Sequence, residues 1–164
     1  GLNRKLPPID DEQVEPPVIK QKNIFTVLIN KHNQLLVEDE LMELGKLRQA
    51  ALEFLDNGGG TGDEACSYCH GKKNPASSDN PDKAIVSLKN ERETTYATYI
   101  SVQNELVAAY NFLRDRRAKE LYGMTLAEME KDYDDVNYSG NKSKLKEKIE
   151  KIKIEFPQKL SEVQ

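Results

Sequence analysis

From residue 24 the chain changes its rhythm. Phe25, Val27 and Ile29 alternate with Thr26, Leu28 and Asn30, and Leu35-Leu36-Val37 returns after the Lys31-His32-Asn33 step. A period of two belongs to an extended strand, so residues 24–38 are predicted as a β-hairpin. Both of its faces are fairly apolar, which calls for cover on both sides or for a second subunit. The rhythm then shifts to steps of three and four. Leu41, Leu44, Leu47, Ala51, Leu52 and Leu55 form one stripe, leaving Glu43, Lys46, Arg48 and Glu53 outside, so a helix is predicted over 39–56. Asn57-Gly58-Gly59-Gly60 ends it.

Residues 57–82 have no period. They are rich in Gly, Ser, Asn, Asp and Pro, and read as an irregular insert. A short β-branched run at Ala84–Leu88 is the next predicted strand. The longest helix follows over about Thr95–Tyr122, with Thr94 or Thr95 as its cap and Gly123 as its stop. Tyr99, Leu106, Tyr110, Leu113 and Arg117 mark its inward stripe, widened by Ile100 and Val107. Thr125 and Glu128 fit a capping box, so a short acidic helix reaches about Tyr133. A lysine-rich helix covers roughly Ser143–Lys153 with Leu145, Ile149 and Ile152 inward. Pro157 closes it, and Gln158–Val163 is the candidate last edge strand. Residues 1–22 hold four of the seven prolines and read as an extended linker. The whole is an α+β fold. A small mixed sheet, made of the hairpin, one central strand and an edge strand, packs on two main helices, with extra C-terminal helices.

Composition narrows the function classes. The 164 residues carry a net charge of −4, and no basic cluster interleaves with aromatics, so nucleic acid is not an expected partner. No apolar run approaches the roughly 18 residues that span a bilayer, and no signal peptide is recognisable. The chain opens on Gly1 without a methionine, so further residues are expected upstream. No Ser-His-Asp arrangement, phosphate loop or carboxylate pair stands out, and Asn57–Glu64 lacks the lysine of a phosphate-binding loop.

The only two cysteines stand in Cys66-Ser67-Tyr68-Cys69-His70, a C-x-x-C-H pattern in the middle of the insert. Covalent haem attachment would use both thiols and His70, but the flanks offer no apolar pocket. Zinc would need His70, the distant His32 or a carboxylate beside the two thiols. A redox pair belongs at a helix N-terminus after a strand, not after a glycine run. The setting favours a local Cys66–Cys69 disulfide pinning the insert in an oxidising compartment, with the other three as alternatives.

The order of elements, together with two stretches, resembles the periplasmic part of the ExbD/TolR family of biopolymer-transport subunits. The stretches are "NIFTVLINKHNQLLVEDELMEL" and, more specifically, "AIVSLKNERETTYATYISVQNELVAAYNFLRD". "KLPPI" resembles the family's leucine-proline motif just after its membrane helix, which would place partner binding at Leu6, Pro7 and Pro8. "QKLSEV" resembles the closing strand. The resemblance implies residues 1–22 as linker and 23–164 as the periplasmic domain of a single-pass inner-membrane protein. It implies a non-enzymatic, homodimeric subunit of a proton-driven motor. An ExbB/TolQ-like channel and a TonB-like energy transducer would be its partners, with peptidoglycan a further candidate. No cofactor is implied. The family's membrane helix with its proton-carrying aspartate is not in the sequence, and Asp10 and Asp11 are not substitutes for it. The cysteine insert and helices 124–153 exceed the compact family domain.

Overall fold

Alternation along Ile24–Ile29 has the consequence expected of a strand. In this computed structural model, which describes residues 18–163, Phe25, Val27 and Ile29 are buried while Ile24, Thr26 and Leu28 are half-buried. Strand β1 (Ile24–Ile29) pairs antiparallel with β2 (Leu35–Val37), Val27 opposite Val37. A third strand follows at once, β3 (Glu40–Met42), antiparallel to β2.

Here the expected helix over 39–56 is corrected. Glu38 and Asp39 both take left-handed conformations, φ 50° and 67°, the pattern of a two-residue type I′ hairpin turn. The chain therefore reverses before it coils, and α1 runs only from Leu44 to Leu55. Leu41, assigned by its spacing to the inward stripe, lies on β3 and is 68% exposed. In a segment this short, leucines at 41 and 44 satisfy helical spacing by accident, and the turn dihedrals decide.

After the insert, β4 (Ile85–Asn90) lies parallel to β1, with Val27 opposite Leu88. Helix α2 (Tyr96–Tyr122) begins where expected. The Thr95 hydroxyl accepts from the Thr98 N–H at 3.2 Å, and Gly123 ends the helix at φ 71°, which costs a residue without a Cβ little. Helix α3 (Leu126–Asp134) is capped by the Thr125 hydroxyl, which accepts from the Glu128 N–H at 3.0 Å. Helix α4 (Lys142–Glu155) is capped by Asn141. Strand β5 (Leu160–Val163) then lies parallel to β4.

The sheet order is β3-β2-β1-β4-β5. Helices α1 and α2 cover one face. Leu47, Ala51 and Leu55 meet Val102, Leu106, Tyr110 and Leu113 over Val27, Ile29, Val86 and Leu88. Buried apolar area of this kind supplies most of the driving force for such a two-layer unit. A separate apolar cluster joins Ala118 of α2 to Leu126, Met129, Leu145, Ile149 and Ile152, so α3 and α4 form an appendage with its own small core.

Candidate functional site: the disulfide insert and the sheet edges

The irregular composition of 57–82 suggests a loosely held loop, and the structure corrects this. Asn57 donates from Nδ2 to the carbonyls of Asn74, at 2.8 Å, and Ser78, at 2.7 Å, and its Oδ1 accepts from the Asn74 N–H at 3.0 Å. One side chain thus performs the pairing of a missing strand for both sides of the loop. Asp79 is 1% exposed and accepts from Lys22 Nζ at 2.6 Å and Asn23 Nδ2 at 3.1 Å. Burial alone would raise its carboxyl, but hydrogen bonds from Lys22 and Asn23 outweigh it and hold the group below its ordinary value. At the start of the insert, Arg116 of α2 grips Asp56 with two hydrogen bonds of 2.7 and 2.9 Å, a bidentate pair with the carboxylate buried.

Cys66 and Cys69 are joined to each other and are both buried, with Cα atoms 5.6 Å apart. The two sulfurs are joined to each other across a four-residue turn. Gly58 explains the fit. It sits at φ 67°, and a Cβ there would lie 2.7 Å from the Cys69 Cβ. Among the described residues, no three His, Cys, Asp or Glu side chains stand together as a metal would require. His70 is exposed and lies 3.2 Å from Glu120, while His32 is exposed in the hairpin turn.

Tyr68, between the two cysteines, leaves the loop to reach the end of α4. Its hydroxyl donates to the Glu155 carbonyl at 2.7 Å, its ring meets Phe156 edge-on at 5.3 Å, and the Arg117 guanidinium lies 4.9 Å above it. Burial, followed by the negative charge of Glu155, pushes this phenol up to about 12. The insert and the appendage, the two parts beyond the compact domain, therefore touch through this residue.

The hairpin strands β1 and β2 are interior, and among the described residues the outermost strands are β3 and β5. With Val37 and Glu40 closing the turn, antiparallel alternation leaves the Leu41 N–H and C=O pointing outward. On β5 the Lys159 carbonyl accepts from Val86 N–H, so Leu160 and Glu162 present their backbone outward. Glu162 accepts from Gln103 at 2.6 Å and from the Tyr99 hydroxyl. Partial burial, then this carboxylate, raises Tyr99 to about 12.

No known family model matches the chain, and no curated protein matches it.

Of the residues singled out in the sequence, Cys66 and Cys69 come together. Leu6, Pro7 and Pro8 lie outside the described residues. The lysine series on α4 is partly engaged within the appendage. Lys142 lies over the Tyr133 ring, Lys148 over Tyr122, and Lys151 lies 3.6 Å from Glu155. Sequence reasoning missed Asn57, Asp79 and Arg116. Asn and Asp in a loop read as turn residues, and their long-range partners leave no local signal.

Proposed function

We propose that this chain is the periplasmic domain of an ExbD/TolR-like subunit. The complete protein would belong to a proton-driven inner-membrane motor that energises TonB-dependent outer-membrane transport. It acts as a mechanical coupler without catalytic residues, as a homodimer, between an ExbB/TolQ-like channel and a TonB-like transducer. The observation that carries the reading is the strand–helix unit at 84–113. Its strand lies parallel beside the N-terminal hairpin, and among the described residues two sheet edges have no further strand beside them. Free N–H and C=O groups on an edge bind an extended partner through main-chain hydrogen bonds, which transmit force without any bond chemistry.

The test is made in cells producing the complete protein. A photo-crosslinking residue replaces Glu162 or Leu41, and adducts are compared with and without a protonophore. The reading expects dimer or transducer adducts whose yield changes when the proton gradient collapses. It also expects a membrane helix of about 20 residues encoded just upstream of Leu2. A cleaved signal peptide there, with adducts indifferent to the gradient, overturns the proposal.

A further inference from the structure

The insert gives one wall of a cleft of about 580 Å³. The opposite wall is the outer flank of α1, and the floor is Leu52, Ala50 and the edges of Phe25 and Phe54, whose rings pack at 5.1 Å. This volume lies in the range of small-ligand and peptide side-chain pockets. The insert wall is built in advance. Asn57 fixes its backbone at Asn74 and Ser78, and Gly71 N–H donates to the Asp56 carbonyl at 2.9 Å. The approach is close enough that a Cβ at Gly71 would sit 2.3 Å from that carbonyl oxygen. The disulfide ends two residues before Gly71, at Cys69. A wall held this way loses little freedom when something binds against it.

The rim has a charge pattern. Glu38 and Glu53 both line the cleft, and neither forms an ion pair among the described residues. Glu38 accepts from the Thr26 hydroxyl, at 3.0 Å, and Glu53 from the Gln49 amide, at 3.4 Å. Asp56, by contrast, is neutralised by Arg116. Lys72 lies on the insert side. An apolar floor beside two carboxylates that, among the described residues, have no ion-pair partner favours an occupant with an apolar group next to a cation.

From this arrangement we infer that the cleft binds an exposed segment of another protein that places a large apolar side chain next to a basic one. The apolar group fills the space over Leu52 and the two phenylalanines, and the base meets Glu38 and Glu53. The inference assigns the insert a purpose, and it does not depend on the membrane-motor reading.

The test is a titration of the ¹⁵N-labelled chain with acetyl-Lys-Phe-Lys-amide, followed by amide chemical shifts, with acetyl-Glu-Phe-Glu-amide as counterpart. The basic peptide is expected to shift the amides of Gln49–Glu53 and Gly71–Asn74 and to leave those of α4 unmoved. The doubly substituted chain, Glu38→Gln with Glu53→Gln, is expected to bind it about three- to tenfold more weakly, the size of effect two exposed ion pairs supply. Both glutamates are exposed, so the fold should survive, which an unchanged far-ultraviolet spectrum verifies. Equal binding of the acidic peptide, shifts confined to other parts of the chain, or no shift up to millimolar peptide each overturns the inference.

Discussion

The insert at 57–82 and the appendage of α3 and α4 both extend the sheet-and-helix core, and they are held by different physics. The appendage has five buried apolar residues, which close with Ala118 of α2 into a small core of their own. The insert places Ser78, Asp79 and Asn80 in its interior, with Cys66 and Cys69 as its main buried apolar groups. It is held by directed hydrogen bonds, by charge pairs of Glu64 and Asp79 with Lys20 and Lys22, and by one short cross-link. An apolar cluster tolerates adjustment and fails through lost volume. A polar network fails one group at a time, because each buried partner left alone costs its full desolvation.

The contrast breaks first on the apolar side. Ile152→Ala should cost about 2–5 kcal/mol, the range for removing a fully buried aliphatic side chain. Hydrogen exchange should localise the damage to 124–155, while β1 and β4 keep their protection. Loss spread evenly over the sheet would show that the appendage has no core of its own.

Next comes Asp79→Asn. Replacing this buried acceptor should cost about 1–3 kcal/mol near neutral pH by denaturant unfolding. The pH dependence sharpens the point. The native carboxyl titrates below its ordinary value of 3.8. Its stabilisation is therefore complete well above that pH, and is lost as pH falls from about 4 through the depressed native value. The Asn variant should lack this part of the acid limb. An identical acid profile in both proteins would remove Asp79 from the account.

The cross-link ranks third. The bridge joins residues three apart in sequence, so chain entropy credits it with no more than about 2 kcal/mol. The double variant Cys66→Ser, Cys69→Ser should keep its far-ultraviolet spectrum and the protection of the sheet. Faster exchange should appear in 65–72. Global unfolding on reduction would make the insert a structural keystone, contrary to the comparison. The smallest effect belongs to Tyr68→Phe. It removes one hydrogen bond to Glu155, worth about 0.5–1.5 kcal/mol, and keeps the ring on Phe156. Its signature is faster exchange at the end of α4 and in β5, not a large shift in melting temperature.

The same division explains what the sequence reveals. Elements fixed by neighbours in the chain are legible. Phe25, Val27 and Ile29 mark their strand by alternation, Thr95 and Gly123 bracket α2 within one residue, and Thr125 marks the start of α3. The apolar cluster of the appendage is legible for the same reason, through Leu145, Ile149 and Ile152. Strand β3 is not, because three residues are too few for a period to be told from another, and Leu41 suits both. The interior of the insert is hidden for a deeper reason. Asn57 meets Asn74 and Ser78, and Asp79 meets Lys22 and Asn23, across separations that no local pattern encodes. The free edges are legible only as strands, since which strand ends up outermost depends on the order of the sheet.

Helix α2 serves both regions. Its first turns lie on the sheet through Val102–Leu113, and its last carry the appendage through Ala118. Its 27 residues span about 40 Å at 1.5 Å each. Such a rod bends gently but does not stretch, because lengthening it means breaking its own backbone ladder. A tug on the outer helices therefore arrives at the sheet as tilt rather than as slack, and the free edge beside Tyr99 is carried along with it.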